Sequence, residues 1–164
     1  MAAIEPGKKA PSFQLKGVDK KEYSLARLQK GQVAVVAFFK KNCPTCHLAF
    51  PFLEKLYRHH QHDQNVRMFA VAQEDKAGAN EFIEGHKITM PVALDENPYK
   101  VSAEYGLANV PTVFLVDADG YVKQTNIGFV KTEYEELAKN VASASGKQPA
   151  AIFEGASVPE LKPG

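Results

Sequence analysis

Two apolar runs stand out along the chain, the second broken only by Arg67, and neither shows the polar alternation of a half-buried strand. They cover residues 33–39 and 66–72 and are rich in valine, alanine and phenylalanine. Such runs are typical of strands that are covered on both faces of a mostly parallel sheet. Between them, apolar residues recur at steps of three and four, which predicts an amphipathic helix over 44–62. The pattern therefore predicts a strand, a long helix and a second strand in direct succession.

The rest of the chain contains shorter segments of the same two kinds. A small hairpin is expected between Phe13 and Leu25, where two alternating stretches flank a polar turn. Ser24 is expected to cap a brief helix over 25–28, and Thr132 the last helix. The other predicted helices are 76–86, 99–105 and 132–142, and the other predicted strands are 92–95, 112–116 and 121–128.

The order of these elements predicts an α/β fold with a central mixed sheet and helices on both faces. The last two strands flank an Asp-Gly turn, so they are expected to pair antiparallel, and the early hairpin forms an N-terminal extension. The length of 164 residues fits one domain, which we place at 1–144. Residues 145–164 are rich in proline and glycine and predict a C-terminal tail, for which disorder is the favoured state.

The charge balance and the apolar runs exclude several kinds of partner. Lys and Arg total 20 against 19 Asp and Glu, so no net field attracts nucleic acid. The longest apolar run is far too short to span a membrane, and the first residues lack the pattern of an export signal. We therefore predict a cytoplasmic monomer with no membrane span and no nucleic-acid partner, and the alternative is an exported protein whose signal has been trimmed. We expect no bound cofactor or metal.

The main candidate for chemistry is the pair of cysteines in Cys43-Pro44-Thr45-Cys46, the only two in the chain. The motif is predicted to lie where the first long strand ends and the helix begins, next to free backbone N–H groups and the positive end of the helix dipole. These features favour the thiolate of Cys43 and make it the expected nucleophile. Cys46 lies one helical turn further on, on the same face, and is expected to resolve.

Three other interpretations of the cysteine pair remain open. A structural disulfide over so short a loop would add only about 2 kcal/mol of stability. A zinc site would need two further ligands from elsewhere in the chain. Finally, His47 completes the pattern C-x-x-C-H of covalent haem attachment, which would make the protein a haem carrier instead of an enzyme.

At this point the sequence resembles the thioredoxin superfamily. In that superfamily a buried strand leads into CxxC, a proline follows eight positions after the first cysteine, and a later Val-Pro-Thr contains a cis proline facing the cysteines. Here Pro51 and Val110-Pro111-Thr112 hold these positions. The N-terminal extension and the insertion at 76–91 are similar to the redoxin branch, which includes the alkyl hydroperoxide reductase/thiol-specific antioxidant group. The resemblance implies a thioredoxin-like fold.

The chain departs from the pattern of the superfamily at several positions. Ala37 and Ala49 stand where relatives carry the acidic residue that accepts the proton of the second cysteine. Glu74 or Asp75 are the candidate substitutes. Peroxiredoxins place a threonine where Cys43 stands, which argues against a dedicated peroxidase, although a peroxiredoxin-like thiol peroxidase stays an alternative.

The resemblance implies a thiol:disulfide oxidoreductase that exchanges disulfides with protein or small-molecule partners and is recharged by an unidentified electron donor. Cys43 and Cys46 are the implied catalytic residues. Val110 and Pro111, together with Pro44 and Thr45, are the implied substrate-binding residues. Reduction is the expected direction in the cytoplasm.

Overall fold

The computed structural model describes residues 2–164 and contains a five-stranded mixed sheet. Its strands are β3 Val33–Phe39, β4 Val66–Ala72, β5 Val92–Leu94, β6 Thr112–Asp117 and β7 Val122–Ile127. They lie in the order β5-β4-β3-β6-β7, with β3, β4 and β5 parallel and with β6 and β7 antiparallel to their neighbours. The two long apolar runs are thus the two central parallel strands, as predicted.

Within residues 2–164 four helices accompany the sheet, at α1 Pro44–His60, α2 Lys76–His86, α3 Lys100–Glu104 and α4 Lys131–Ser145. Side chains of α1, α2 and α4 share one apolar core with alternate residues of the sheet. Side chains of α3 and of the N-terminal segment form a second core on the opposite face. The prediction of helices on both faces is confirmed, because residues such as Ala37 and Phe38 point to different cores.

A two-stranded hairpin precedes the sheet, formed by β1 Leu15–Lys16 and β2 Glu22–Tyr23. Its turn lies beside β5, where Val18 N–H donates to the carbonyl of Val92. The helix predicted over 25–28 is absent, and Arg27 has a positive φ of 67° in a turn. The Ser24 hydroxyl accepts only the N–H of Ala26. So short a segment does not repay the cost of nucleating a helix.

The predicted cap of the last helix is also wrong. Helix α4 begins at Lys131 and its N-cap position is Val130, with no side-chain cap. A short strand, β8 Phe129–Val130, leads straight into the helix. The N–H of Lys131 donates to the carbonyl of Glu160 instead, so a distant segment supplies the acceptor that we had assigned to Thr132.

The C-terminal segment, favoured as disordered from its composition, is packed against the domain. Helix α4 extends to Ser145, and Ala150 and Ile152 are buried in the core shared with α1. The chain then returns as β9 Leu161–Lys162, which pairs antiparallel with β8. Apolar burial and strand pairing offset the conformational entropy that the segment loses on ordering, and the composition alone does not reveal these contacts. The segment thereby reaches the end of the sheet where α1 begins.

Candidate active site

The cysteine motif lies between the end of β3 and the first turn of α1. Cys43 is the N-cap residue of the helix, and its sulfur accepts a hydrogen bond from the N–H of Cys46 at 3.0 Å. Pro44 occupies the first turn, where its missing N–H costs no hydrogen bond. The sulfur of Cys43 is therefore held at the positive end of α1, as the sequence predicted.

This arrangement lowers the pKa of the Cys43 thiol to about 6. The largest cause is the hydrogen bond that the Cys46 thiol donates to the Cys43 sulfur, and backbone N–H groups of the first turn add to it. Partial burial acts in the opposite direction but is outweighed. Cys43 is thus mostly thiolate at neutral pH, although only 7 % of its surface is exposed.

Cys46 lies beneath Cys43 in the core and has no exposed surface. Burial raises the pKa of the Cys46 thiol well above its usual value, and the neighbouring Cys43 raises it further. Both cysteines are free thiols in this structure. One sulfur is therefore ionised and close to the surface, and the other is protonated and enclosed.

The loop before β6 faces the cysteines. In its thiol form Cys43 donates to the carbonyl oxygen of Val110 at 3.3 Å, and the Val110–Pro111 peptide bond is cis, as the resemblance implies. Val110 is half-buried, and Pro111 and Thr45 are buried. Four of the six predicted site residues lie at the start of α1: Cys43, Pro44, Thr45 and Cys46. The fold brings the other two, Val110 and Pro111, against them.

The two positions at which relatives carry the acidic proton acceptor hold alanine here. Ala37 and Ala49 are both fully buried in the core. Glu74 accepts the backbone N–H of Lys41 at 3.0 Å, and Asp75 caps α2 by accepting from Gly78. Both acidic side chains thus have structural roles.

Tyr134, which the sequence did not single out, lies in the core close enough for the charges of both cysteines to raise its pKa. Tyr134, from α4, is fully buried, and its hydroxyl has no hydrogen-bond partner among residues 2–164. Burial raises its pKa, and the charges of Cys46 and Cys43 raise it further. The sequence places Tyr134 in the predicted last helix, but nothing in the sequence indicates which residues of other segments lie beside it.

His47 lies on the exposed side of the same helical turn and makes local contacts. Its Nδ1 is 2.6 Å from Nε2 of His86, and its Nε2 is 2.6 Å from the carbonyl oxygen of Lys41. Covalent haem attachment would require both cysteine sulfurs at the edge of a porphyrin, and the burial of Cys46 does not fit that requirement. The haem interpretation of the C-x-x-C-H pattern is therefore not supported.

A cleft of about 280 Å³ opens beside the Val110 loop, lined in part by Lys40, Gln73, Tyr99 and Asn109. The ammonium group of Lys40 lies 5.7 Å from the centre of the Tyr99 ring, within the range of a cation–π contact.

No cluster of three or more potential metal ligands occurs among residues 2–164. No helix in the same part of the chain is long and apolar enough to cross a bilayer.

Comparisons with known proteins point to one family. The family model described as Redoxin matches residues 5–142. The thiol-disulfide oxidoreductase ResA of Bacillus thuringiensis is 31 % identical over 126 residues, which cover 76 % of this chain and 71 % of the relative.

Two solved structures agree with this. StoA from Bacillus subtilis is 26 % identical, covers 78 % of this chain and 94 % of its own, and has a TM-score of 0.64. A thiol:disulfide interchange protein of the thioredoxin family from Chlorobium tepidum is 25 % identical, with coverages of 85 % and 99 % and a TM-score of 0.67. The thioredoxin-like fold expected from the sequence is confirmed.

Proposed function

The chain belongs to the redoxin family and is a thiol:disulfide oxidoreductase, and we propose that Cys43 is its nucleophile and Cys46 its resolving thiol. The observation that supports this most directly is the opposite shift of the two thiols. The pKa of Cys43 is lowered to about 6 while that of the buried Cys46 is raised. Only the thiolate attacks a disulfide, so the first step belongs to Cys43.

The exchange proceeds in two balanced steps. The Cys43 thiolate attacks one sulfur of the partner disulfide, the partner's S–S bond breaks, and its other sulfur leaves as a thiolate. The Cys46 thiol then loses its proton and attacks the Cys43 sulfur, which releases the second partner thiolate and leaves a Cys43–Cys46 disulfide. The first partner thiolate, set free beside the pair, is the base available for the Cys46 proton.

Partner polypeptides dock through the backbone of Val110 and the first turn of α1. Val110 is half-buried beside Cys43, and Pro111, which has no N–H, follows it. The cleft lined by Lys40 and Tyr99 lies on one side of this loop and offers a place for a neighbouring side chain of the partner. Disulfides are the substrates, and the electron donor is a dithiol protein or small dithiol that reduces the Cys43–Cys46 disulfide.

The test is reduction of insulin by a dithiol in the presence of the protein. Cys43→Ser is expected to abolish turnover. Cys46→Ser is expected to lose turnover but to accumulate a mixed disulfide with the substrate, visible on non-reducing gels. Full activity of Cys43→Ser would exclude this residue as the nucleophile. Clean monomer of Cys46→Ser after reaction with insulin would exclude Cys46 as the resolving thiol.

The direction of net electron flow depends on the reduction potential and on the compartment. We predict a reductant that acts as a cytoplasmic monomer. A redox titration of the Cys43–Cys46 pair tests the direction, and a potential near those of strong oxidants would contradict reduction. Recovery of the protein outside the cytoplasm after cell fractionation would contradict the predicted compartment, and gel filtration tests the monomer.

A further inference from the structure

Residues 158–164, which we call the strap, run across the face of the molecule that carries the cysteine motif. The strap pairs with β8 through Leu161 and Lys162, and the carbonyl of Glu160 accepts the N–H of Lys131 at 2.9 Å. Further along, the carbonyl of Pro163 accepts the hydroxyl of Thr45 at 2.6 Å. Thr45 stands between the two cysteines, so the strap contacts the motif itself.

The end of the strap reaches the loop that faces the thiol. A Cβ on Gly164 would overlap the carbonyl oxygen of Val110, the same oxygen that lies 3.3 Å from the Cys43 sulfur. Gly128, with φ +70°, leaves room for this passage, because a Cβ there would come within 2.9 Å of the Gly164 nitrogen. The strap backbone and the thiol therefore converge on the Val110 carbonyl, and Cys43 is left only 7 % exposed.

The attachment of the strap is limited in extent. Val158 packs partly buried against the main core, but the side chain of Leu161 is 61 % exposed. The pairing with β8 spans only two residues on each side. Isolated two-stranded pairings of this length are marginal in water, and such segments open locally at low cost in free energy.

We propose that the strap is an internal competitor of the partner polypeptide. Its backbone occupies the face, made by the edge of β8, the Thr45 hydroxyl and the Val110 loop, on which an extended disulfide-bearing segment docks by adding a strand. A partner must displace the strap, and the strap covers Cys43 until it does. This inference rests on the proposed function, because it assigns a second occupant to the same docking face.

Lys162→Pro is the variant that loosens the strap in the full chain. Hydrogen-bonded pairs alternate along an antiparallel ladder, and Lys131 already donates to Glu160. The next such pair is therefore Phe129 with Lys162, and proline at 162 removes its N–H donor. Lys162→Ala is the matched control, since it removes the charge and keeps the N–H.

Two measurements report on the strap. The rate of Cys43 alkylation by iodoacetamide is expected to rise about fivefold in Lys162→Pro. The KM for insulin is expected to fall by a similar factor, with kcat unchanged. Changes of this size are expected because the lost contact contributes only a small share of the total stability. Lys162→Ala is expected to match the wild-type protein in both. Equal alkylation rates in all three proteins would overturn the proposal.

A second variant tests the same contact at the other end of the strap. Gly164→Ala places a Cβ against the Val110 carbonyl and is expected to raise the alkylation rate as well, while Gly85→Ala on α2, with no atom within 4 Å of the added carbon, is its control. Gly164→Ala with an unchanged rate would also count against the proposal. Alkylation needs no turnover. Faster alkylation of the variants without any reduction of insulin would therefore refute the proposed function but not the proposal that the strap covers Cys43.

Discussion

The two cysteines differ because of a single structural relation between them. Cys43 sits at the N-cap of α1, where a backbone N–H and the Cys46 thiol both donate to its sulfur. Cys46 sits three residues later, on the inward side of the helix, where burial holds it protonated. The Cys46 thiol thus lowers the pKa of Cys43, burial raises the pKa of Cys46, and the proposed order of attack follows from this difference.

The pH dependence of Cys43 alkylation tests this relation. With a pKa of about 6, Cys43 loses its thiolate as the pH falls through 6, so the alkylation rate is expected to drop there and to be nearly constant above neutrality. Cys46→Ala removes the thiol donor and is expected to move the midpoint upward, toward the ordinary thiol value of about 8.5. The thiolate absorbance in the ultraviolet gives an independent measure.

Lys162→Ala, which leaves both thiols and their donors in place, serves as the control for the pH series. A midpoint near pH 6 in Cys46→Ala would mean that the helix end, and not the second thiol, sets the acidity of Cys43. The sequence predicted the lowered pKa from the helix dipole and free backbone N–H groups, whereas the largest cause in the structure is the Cys46 thiol.

At the scale of single elements, α1 also anchors the loop that leads into β5. Glu54, buried on this helix, accepts the backbone N–H groups of Thr89 and Met90 at 3.0 and 3.1 Å. It also accepts the Thr89 hydroxyl and an ion-paired bond from Arg58 at 2.7 Å. The carboxylate thus satisfies two backbone donors that would otherwise lie unpaired near the core.

Removing this carboxylate is expected to be costly. Glu54→Ala leaves the N–H groups of Thr89 and Met90 without an acceptor, so we expect a loss of about 3 kcal/mol in the free energy of unfolding. Urea denaturation measures it. Glu104→Ala removes an exposed carboxylate that lies 3.9 Å from Lys100 and is expected to change stability by less than about 1 kcal/mol. Equal effects of the two changes would contradict the role of Glu54.

The elements themselves were predicted well wherever burial dictates the sequence pattern. The strand over 66–72 and the helix over 76–86 have the predicted bounds. The errors lie at 25–28 and at Thr132, where the sequence shows a serine or threonine suited to a cap. A side-chain cap is only one way to satisfy a helix end, and at α4 the backbone of Glu160 takes that place.

On the scale of the whole molecule, the C-terminal segment is part of the folded unit. The ring of Phe153 packs at a tilt against Phe52 of α1, with 4.8 Å between ring centres, and edge-to-face against Phe129 of β8, at 5.8 Å. Ile152 is only 3 % exposed in the same core. These contacts bring the chain back over α1 and hold the start of the strap beside the site.

We therefore expect residues 146–157, the part of this segment that precedes the strap, to unfold together with the domain. Ile152→Ala is expected to lower the free energy of unfolding by about 2–4 kcal/mol, because it deletes a buried side chain. Leu161→Ala, at an exposed position of the strap, is expected to cost within about 0.5 kcal/mol. The free energy of unfolding of each variant is read from its own denaturation curve, which is expected to show a single transition. A separate early transition confined to Ile152→Ala would show that residues 146–164 fold independently of the rest.

The sequence by itself determined the central strands, the long helix with Cys43 at its start, and the family to which these belong. Those features are local, because burial and helix geometry write them as periodic patterns and fixed spacings. Tertiary structure alone decided that Tyr134 lies near the cysteines and that the strap reaches Thr45 between them. These residues come from segments far apart in the chain, so no local pattern predicts that they lie together. The proline- and glycine-rich composition of the C-terminal segment also does not reveal that backbone hydrogen bonds and a few buried side chains hold this segment in place.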